Sequence, residues 1–172
     1  MNSITPDTTP QAWNRTQQRT FIAAAFSIVV GLFSFATAPY ILSAIGNELG
    51  FSLDNANILT IAPPAASPLA VFIAGTLGDV FGSKKVLLGG GVLYCIGVAI
   101  VLSSQSFALL LAGRALEGIG SMLLRVVSLA LVAAAFTAPV QRTMAFSGFA
   151  AVSPITQILA PSIAAPLAGL TG

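Results

Sequence analysis

Five long apolar runs, at about residues 21–45, 57–77, 86–103, 107–132 and 144–170, are divided by short polar breaks. Each is close to the ~20 apolar residues that an α-helix needs to cross roughly 30 Å of bilayer hydrocarbon. None alternates apolar and polar positions with period two, as a membrane-barrel strand does. Helices satisfy their own backbone hydrogen bonds in lipid, so the pattern predicts an all-α, polytopic membrane bundle of about five transmembrane helices. The stretch before the first run holds Pro6, Asp7, Pro10, Arg15 and Arg19, and predicts a disordered polar tail over 1–19 ahead of one helical unit over 20–172.

Composition supports this class. The 172 residues are 56% hydrophobic and 7% charged, with a mean hydropathy of +0.93. One soluble core of this size cannot hide that much apolar surface. Phe21–Phe35 has the length of a signal-peptide core, and Ala36-Thr37-Ala38 resembles a cleavage site. The apolar run continues through Ile45 and the preceding polar segment is long, so a retained first helix is the expectation.

Charge then sets orientation. Arg15 and Arg19 precede the first run, Lys84 and Lys85 separate the second and third, and Arg142 separates the fourth and fifth. The opposite breaks carry Glu48 and Asp54, or no charge over 103–106. Lys and Arg mark the cytoplasmic side, so the N-terminus is expected inside and Gly172 outside or at the outer interface. The net charge of +2 is dispersed as topology markers, which leaves no patch for nucleic acid. Cys95 is the single cysteine and histidine is absent, so no disulfide, metal site or near-neutral imidazole base is expected. No Gly-x-Ser-x-Gly, phosphate loop or paired catalytic carboxylates appear, so neither enzymatic chemistry nor a cofactor is expected.

The polar break Gly75-Thr-Leu-Gly-Asp79-Val-Phe-Gly82-Ser-Lys84-Lys85 is distinctive in so uncharged a chain. It resembles the loop between the second and third helices of the major facilitator superfamily, G-x-L-x-D-x-x-G-[RK]-[RK], with Ser83 as an insertion or substitution. The resemblance implies that Gly75, Asp79, Gly82, Lys84 and Lys85 form a gate that latches two six-helix halves in the outward-facing state. Asp79 is expected just past the last turn of helix 2, with Gly78 and Gly82 permitting a tight turn. The simpler alternative is topology, with basic residues holding this break inside.

In the fourth run, Leu111-Ala-Gly-Arg114-Ala-Leu-Glu117-Gly118-Ile-Gly120 resembles the signature R-x-x-Q-G-x-G of drug/proton antiporters, with Glu117 in place of glutamine. Arg114 and Glu117 are three apart on one helix face and can pair. An arginine inside a membrane helix normally faces protein or water with a partner. The resemblance implies substrate or proton coupling at Arg114 and Glu117; a local pair that merely neutralises a buried charge is the alternative. Arg125, about three turns on, lines the substrate path or snorkels to the inner interface. In the fifth run, Thr156-Gln-Ile-Leu-Ala160-Pro161-Ser-Ile-Ala164-Ala165 keeps only the proline of G-x-x-x-G-P-x-x-G-G. Close helix packing is the preferred reading there, with Ala160, Pro161 and Ala164 of this run and Gly118 and Gly120 of the fourth as the packing motif.

The first run resembles the fourteen-helix branch of these antiporters at Leu42, Ile45 and Leu49, but Ser34 stands where that branch has an intramembrane aspartate. Glu117 is then the mid-membrane acid through which protons would couple. Pro63, Pro64 and Pro68 are expected to break helix 2, and Pro154, Pro161 and Pro166 to bend helix 5.

The resemblance covers about residues 20–172 and implies an incomplete N-terminal half, helices 1–5, of a plasma-membrane efflux carrier. The implied partners are the bilayer, a small-molecule substrate, a proton, and a missing C-terminal half or partner chain. A membrane protein that docks on another chain without transporting is the alternative from a different class. A small homodimeric exporter ranks lower, since it needs a mid-membrane glutamate in helix 1 and Glu48 lies in the outer break.

Overall fold

A computed structural model describes residues 12–50 and 52–170. The described residues form five helices: α1 (Arg15–Leu49), α2 (Leu53–Phe81), α3 (Ser83–Ser103), α4 (Phe107–Ala135) and α5 (Pro139–Leu170). Each contains a span long and apolar enough to cross a bilayer. Large side chains such as Phe72 (83% exposed) and Leu102 (75%) point outward, as only a lipid-facing surface tolerates in such number. The chain is a multi-pass membrane helix bundle.

The helices reach past the apolar runs into the polar breaks, and capping contacts support the starts of α1, α2 and α4. α1 begins at Arg15, so the last residues of the expected tail are helical. Asn14 N–H donates to Gln17 Oε1 at 2.9 Å, one half of a capping box. Trp13 then packs edge-on against Phe21 and Phe136, with ring centroids 5.1 and 4.8 Å away. Gln17 Nε2 donates to Ala135 O at 3.1 Å and to Gln141 Oε1 at 3.2 Å, which joins the start of α1 to the end of α4 and the start of α5. Ser52 and Ser106 cap α2 and α4 by accepting from Asn55 N–H and Leu109 N–H.

The break between α2 and α3 shrinks to one residue. Gly82 has φ 83°, a left-handed conformation that suits glycine, and its N–H donates to Gly78 O at 3.1 Å. Asp79 therefore lies within the last turn of α2 and not beyond it. Its side chain, like that of Glu48, falls outside the described side chains. Lys84 and Lys85 belong to the first turn of α3.

α4 is the hub, packed on α1, α2 and α3, while α5 leans mainly on α1. Without a hydrophobic drive between helices in lipid, close backbone approach supplies the packing, and glycines permit it. A Cβ added to Gly97 would sit 2.6 Å from Glu117 N, and one on Gly120 would sit 2.5 Å from Tyr94 N. Together these contacts seat α3 on α4. A Cβ on Gly118 would meet Pro63 O at 2.3 Å, which seats α2 on another side of α4. Apolar clusters fill the remaining space, one around Leu59 and Leu110 and another around Val132 and Phe136.

Candidate functional site: a buried charge node on α4

Proline chemistry on α2 starts the site. Pro63 has no N–H, so the carbonyl four residues earlier, Leu59 O, loses its helical donor. Arg114 of α4 supplies one, with Nε donating to Leu59 O at 3.3 Å. From the same guanidinium, Nη1 donates to Glu117 Oε2 at 2.6 Å. The other carboxylate oxygen, Oε1, accepts a hydrogen bond from Ser34 Oγ of α1.

Arg114 and Glu117 are only 3% and 4% exposed, so both charges lie out of water. Such a pair survives because each charge satisfies the other and surrounding hydrogen bonds satisfy the remainder. Among the described residues it is the ion pair of the chain. Arg114 Nη2 is buried without a protein partner, which leaves the node one donor in reserve. Around it, the buried Thr37 donates to Ser34 O at 3.2 Å, and Tyr94 OH of α3 donates to Val30 O of α1 at 2.9 Å. Four helices therefore meet at one polar level: α4 carries the charges, and α1, α2 and α3 brace them.

The pair expected from spacing is thus a cross-helix node rather than an isolated i,i+3 contact. Arg125 stays apart from it. It is exposed and lines a separate cavity of about 210 Å³ with Phe35 of α1, Pro63 and Ser67 of α2, and Gln157 of α5. The residues around Gly82 stand at the far end of α2. Gly75, Lys84 and Lys85 are exposed, and neither lysine pairs with a described residue. On α5, Ala160 is buried, while Pro161 and Ala164 are half-buried.

Sequence reasoning missed Leu59, whose side chain is merely apolar and whose carbonyl does the work. The signal was present four residues downstream, at Pro63. It also treated Ser34 as the loss of an acid, whereas Ser34 touches the acid that α4 provides.

Known proteins resemble this chain in sequence. Over 141 residues, 82% of this chain and 27% of the relative, it is 28% identical to the major facilitator superfamily multidrug transporter mfsC of Aspergillus fumigatus. Over 154 residues, 87% of this chain and 28% of the relative, it is 29% identical to the multidrug resistance protein Stp of Mycobacterium tuberculosis. Over 108 residues, 59% of this chain and 18% of the relative, it is 32% identical to myo-inositol transporter 1 of Saccharomyces cerevisiae. The chain spans less than a third of the length of each of these relatives. No solved structure matches it. The first and third of these relatives are named as transporters, and the second as a multidrug resistance protein. The residue pattern of one family runs through residues 23–172, and the chain belongs to the Major Facilitator Superfamily.

Proposed function

We propose that the chain provides the first five helices of a carrier that exports drug-like or other small solutes by alternating access, in the manner of the fourteen-helix drug/proton antiporters. The observation that carries this reading is the Arg114–Glu117 node, whose two charges are tied to α2 through Leu59 O and to α1 through Ser34. A buried pair that merely cancels itself has no need to bridge three helices. One that does so can report its charge state to all of them, because protonating Glu117 weakens its hold on Arg114 and on Ser34 at once.

In this reading the chain lies in the plasma membrane with its N-terminus in the cytoplasm, as the distribution of Lys and Arg supports. Lys84 and Lys85 face the inner lipid headgroups, and the Gly82 turn forms part of the gate. The opposing half comes from further polypeptide or a partner chain, since the curated relatives are more than three times longer than the aligned segment.

The test is extrusion of a fluorescent lipophilic dye from efflux-deficient cells that carry the complete transport unit. Glu117→Gln, which keeps an acceptor oxygen for Arg114, is expected to abolish extrusion driven by a pH gradient when rates are normalised to the folded protein present in the membrane. Gradient-driven extrusion by E117Q at the wild-type rate would sink the coupling role. A second reading, a docking protein that does not transport, draws on an apolar groove of about 590 Å³ between α1 and α3, lined by Phe26, Val30, Leu88 and Val92. Normal dye retention with or without the chain would favour it.

A further inference from the structure

Arg125 differs from Arg114 in having no counter-charge among the described side chains. It lies on α4 ten residues before the helix ends at Ala135, about 15 Å along the axis at 1.5 Å per residue. No described residue forms a hydrogen bond or ion pair with it. The cavity of about 210 Å³ that it lines is walled by α1, α2, α4 and α5, with no carboxylate among the described lining residues. Ser67 and Ser121 donate their hydroxyl hydrogens to Pro64 O at 2.8 Å and Gly118 O at 3.0 Å. Arg125 and the amide of Gln157 remain as the side-chain donors at the cavity. Leu32, Phe35 and Met122 supply the apolar wall.

A lone guanidinium within a membrane span is costly unless a counter-charge reaches it, so the cavity is electrostatically primed for an acceptor. The planar fork of Arg suits carboxylate and phosphate oxygens, whereas a cationic ligand would meet like charge with no carboxylate to offset it. Drug-sized pockets run to roughly 300–1,000 Å³, so this cavity accommodates a head group and its adjoining segment only.

We infer that the α1–α2–α4–α5 cavity binds the anionic head of an amphiphile, with Arg125 and Gln157 on the head and Phe35 and Met122 against the first part of the apolar body. The inference rests on the proposed carrier function and gives that function a substrate class, organic anions. An anionic lipid and a free amphiphilic anion share this chemistry.

The test uses the 172-residue chain in phosphatidylcholine nanodiscs. Three dansyl probes on the same undecyl chain end in a carboxylate, a trimethylammonium or a hydroxyl group, and empty discs correct for partition into lipid. The carboxylate probe is expected to bind about tenfold or more tighter than the other two, with Arg125→Gln erasing the preference and Arg125→Lys keeping most of it. Emission from Trp13, which is packed on Phe21 and Phe136, verifies that each variant is folded. Adding phosphatidylglycerol separates the sources: displacement of the probe identifies a lipid head as occupant, and its retention identifies a free anion. Equal binding of all three probes, unchanged in R125Q, overturns the anion class while leaving a substrate cavity in place. If no probe binds the folded chain, both this inference and the reading of this face as a substrate path fail.

Discussion

The charges on α4 and the charges around Gly82 come from the same family resemblance, yet the helices treat them in opposite ways. Arg114 and Glu117 are sealed inside, each with a partner on its own helix and another on a neighbouring one. Lys84 and Lys85 are exposed, with no described partner. Their position is also unfavourable locally. A basic pair in the first turn of α3 faces the positive end of the helix dipole, and Asp79 in the last turn of α2 sits at the negative end. The first set of charges is integral to how these five helices hold together. Among the second set, the lysines make no described contact that would hold the helices together.

This contrast can be broken most directly at the node. Arg114→Ala leaves Glu117 as an unpaired buried charge and is expected to cost about 3–5 kcal/mol in a detergent unfolding titration. A cost below about 1 kcal/mol would mean that the node is decorative. Next in size is Gly120→Ala, whose new methyl group would sit 2.5 Å from the Tyr94 backbone. Forcing α3 off α4 should cost about 1–3 kcal/mol by the same titration. The smallest effect belongs to Lys84→Gln with Lys85→Gln, which should leave unfolding within about 0.5 kcal/mol. The same double variant should lose binding to anionic lipid, at about 1 kcal/mol per lysine, measured by co-sedimentation of nanodiscs with anionic vesicles. A large stability loss there would erase the distinction between the two regions.

The membrane class and the number of helices were legible from hydropathy alone, because lipid demands long, continuous apolar runs. Helix ends were less legible. The Asn14–Gln17 contact and the Ser52 cap lie in polar segments that read as tail or loop, and they lengthen α1 and start α2 earlier than the apolar pattern suggests. At the site, i,i+3 spacing was enough to bring Arg114 and Glu117 together. Their links to Ser34 and Leu59 depend on how helices are rotated about their axes, and local spacing carries no such information. Arg125 shows the same limit. Helical phase puts it near the face of Arg114, but only packing reveals that Arg125 opens into a cavity while Arg114 is buried.

Pro63 and Arg114 have an implication for inheritance. The imino acid on one helix creates the orphan carbonyl that the guanidinium on another helix occupies. Restoring an N–H at position 63 would return Leu59 O to its own helix and leave the arginine short of an acceptor. Losing the arginine would strand the carbonyl instead. The two codons are therefore epistatic: a lineage that changes one alters which substitutions it can tolerate at the other, fifty-one positions along the chain.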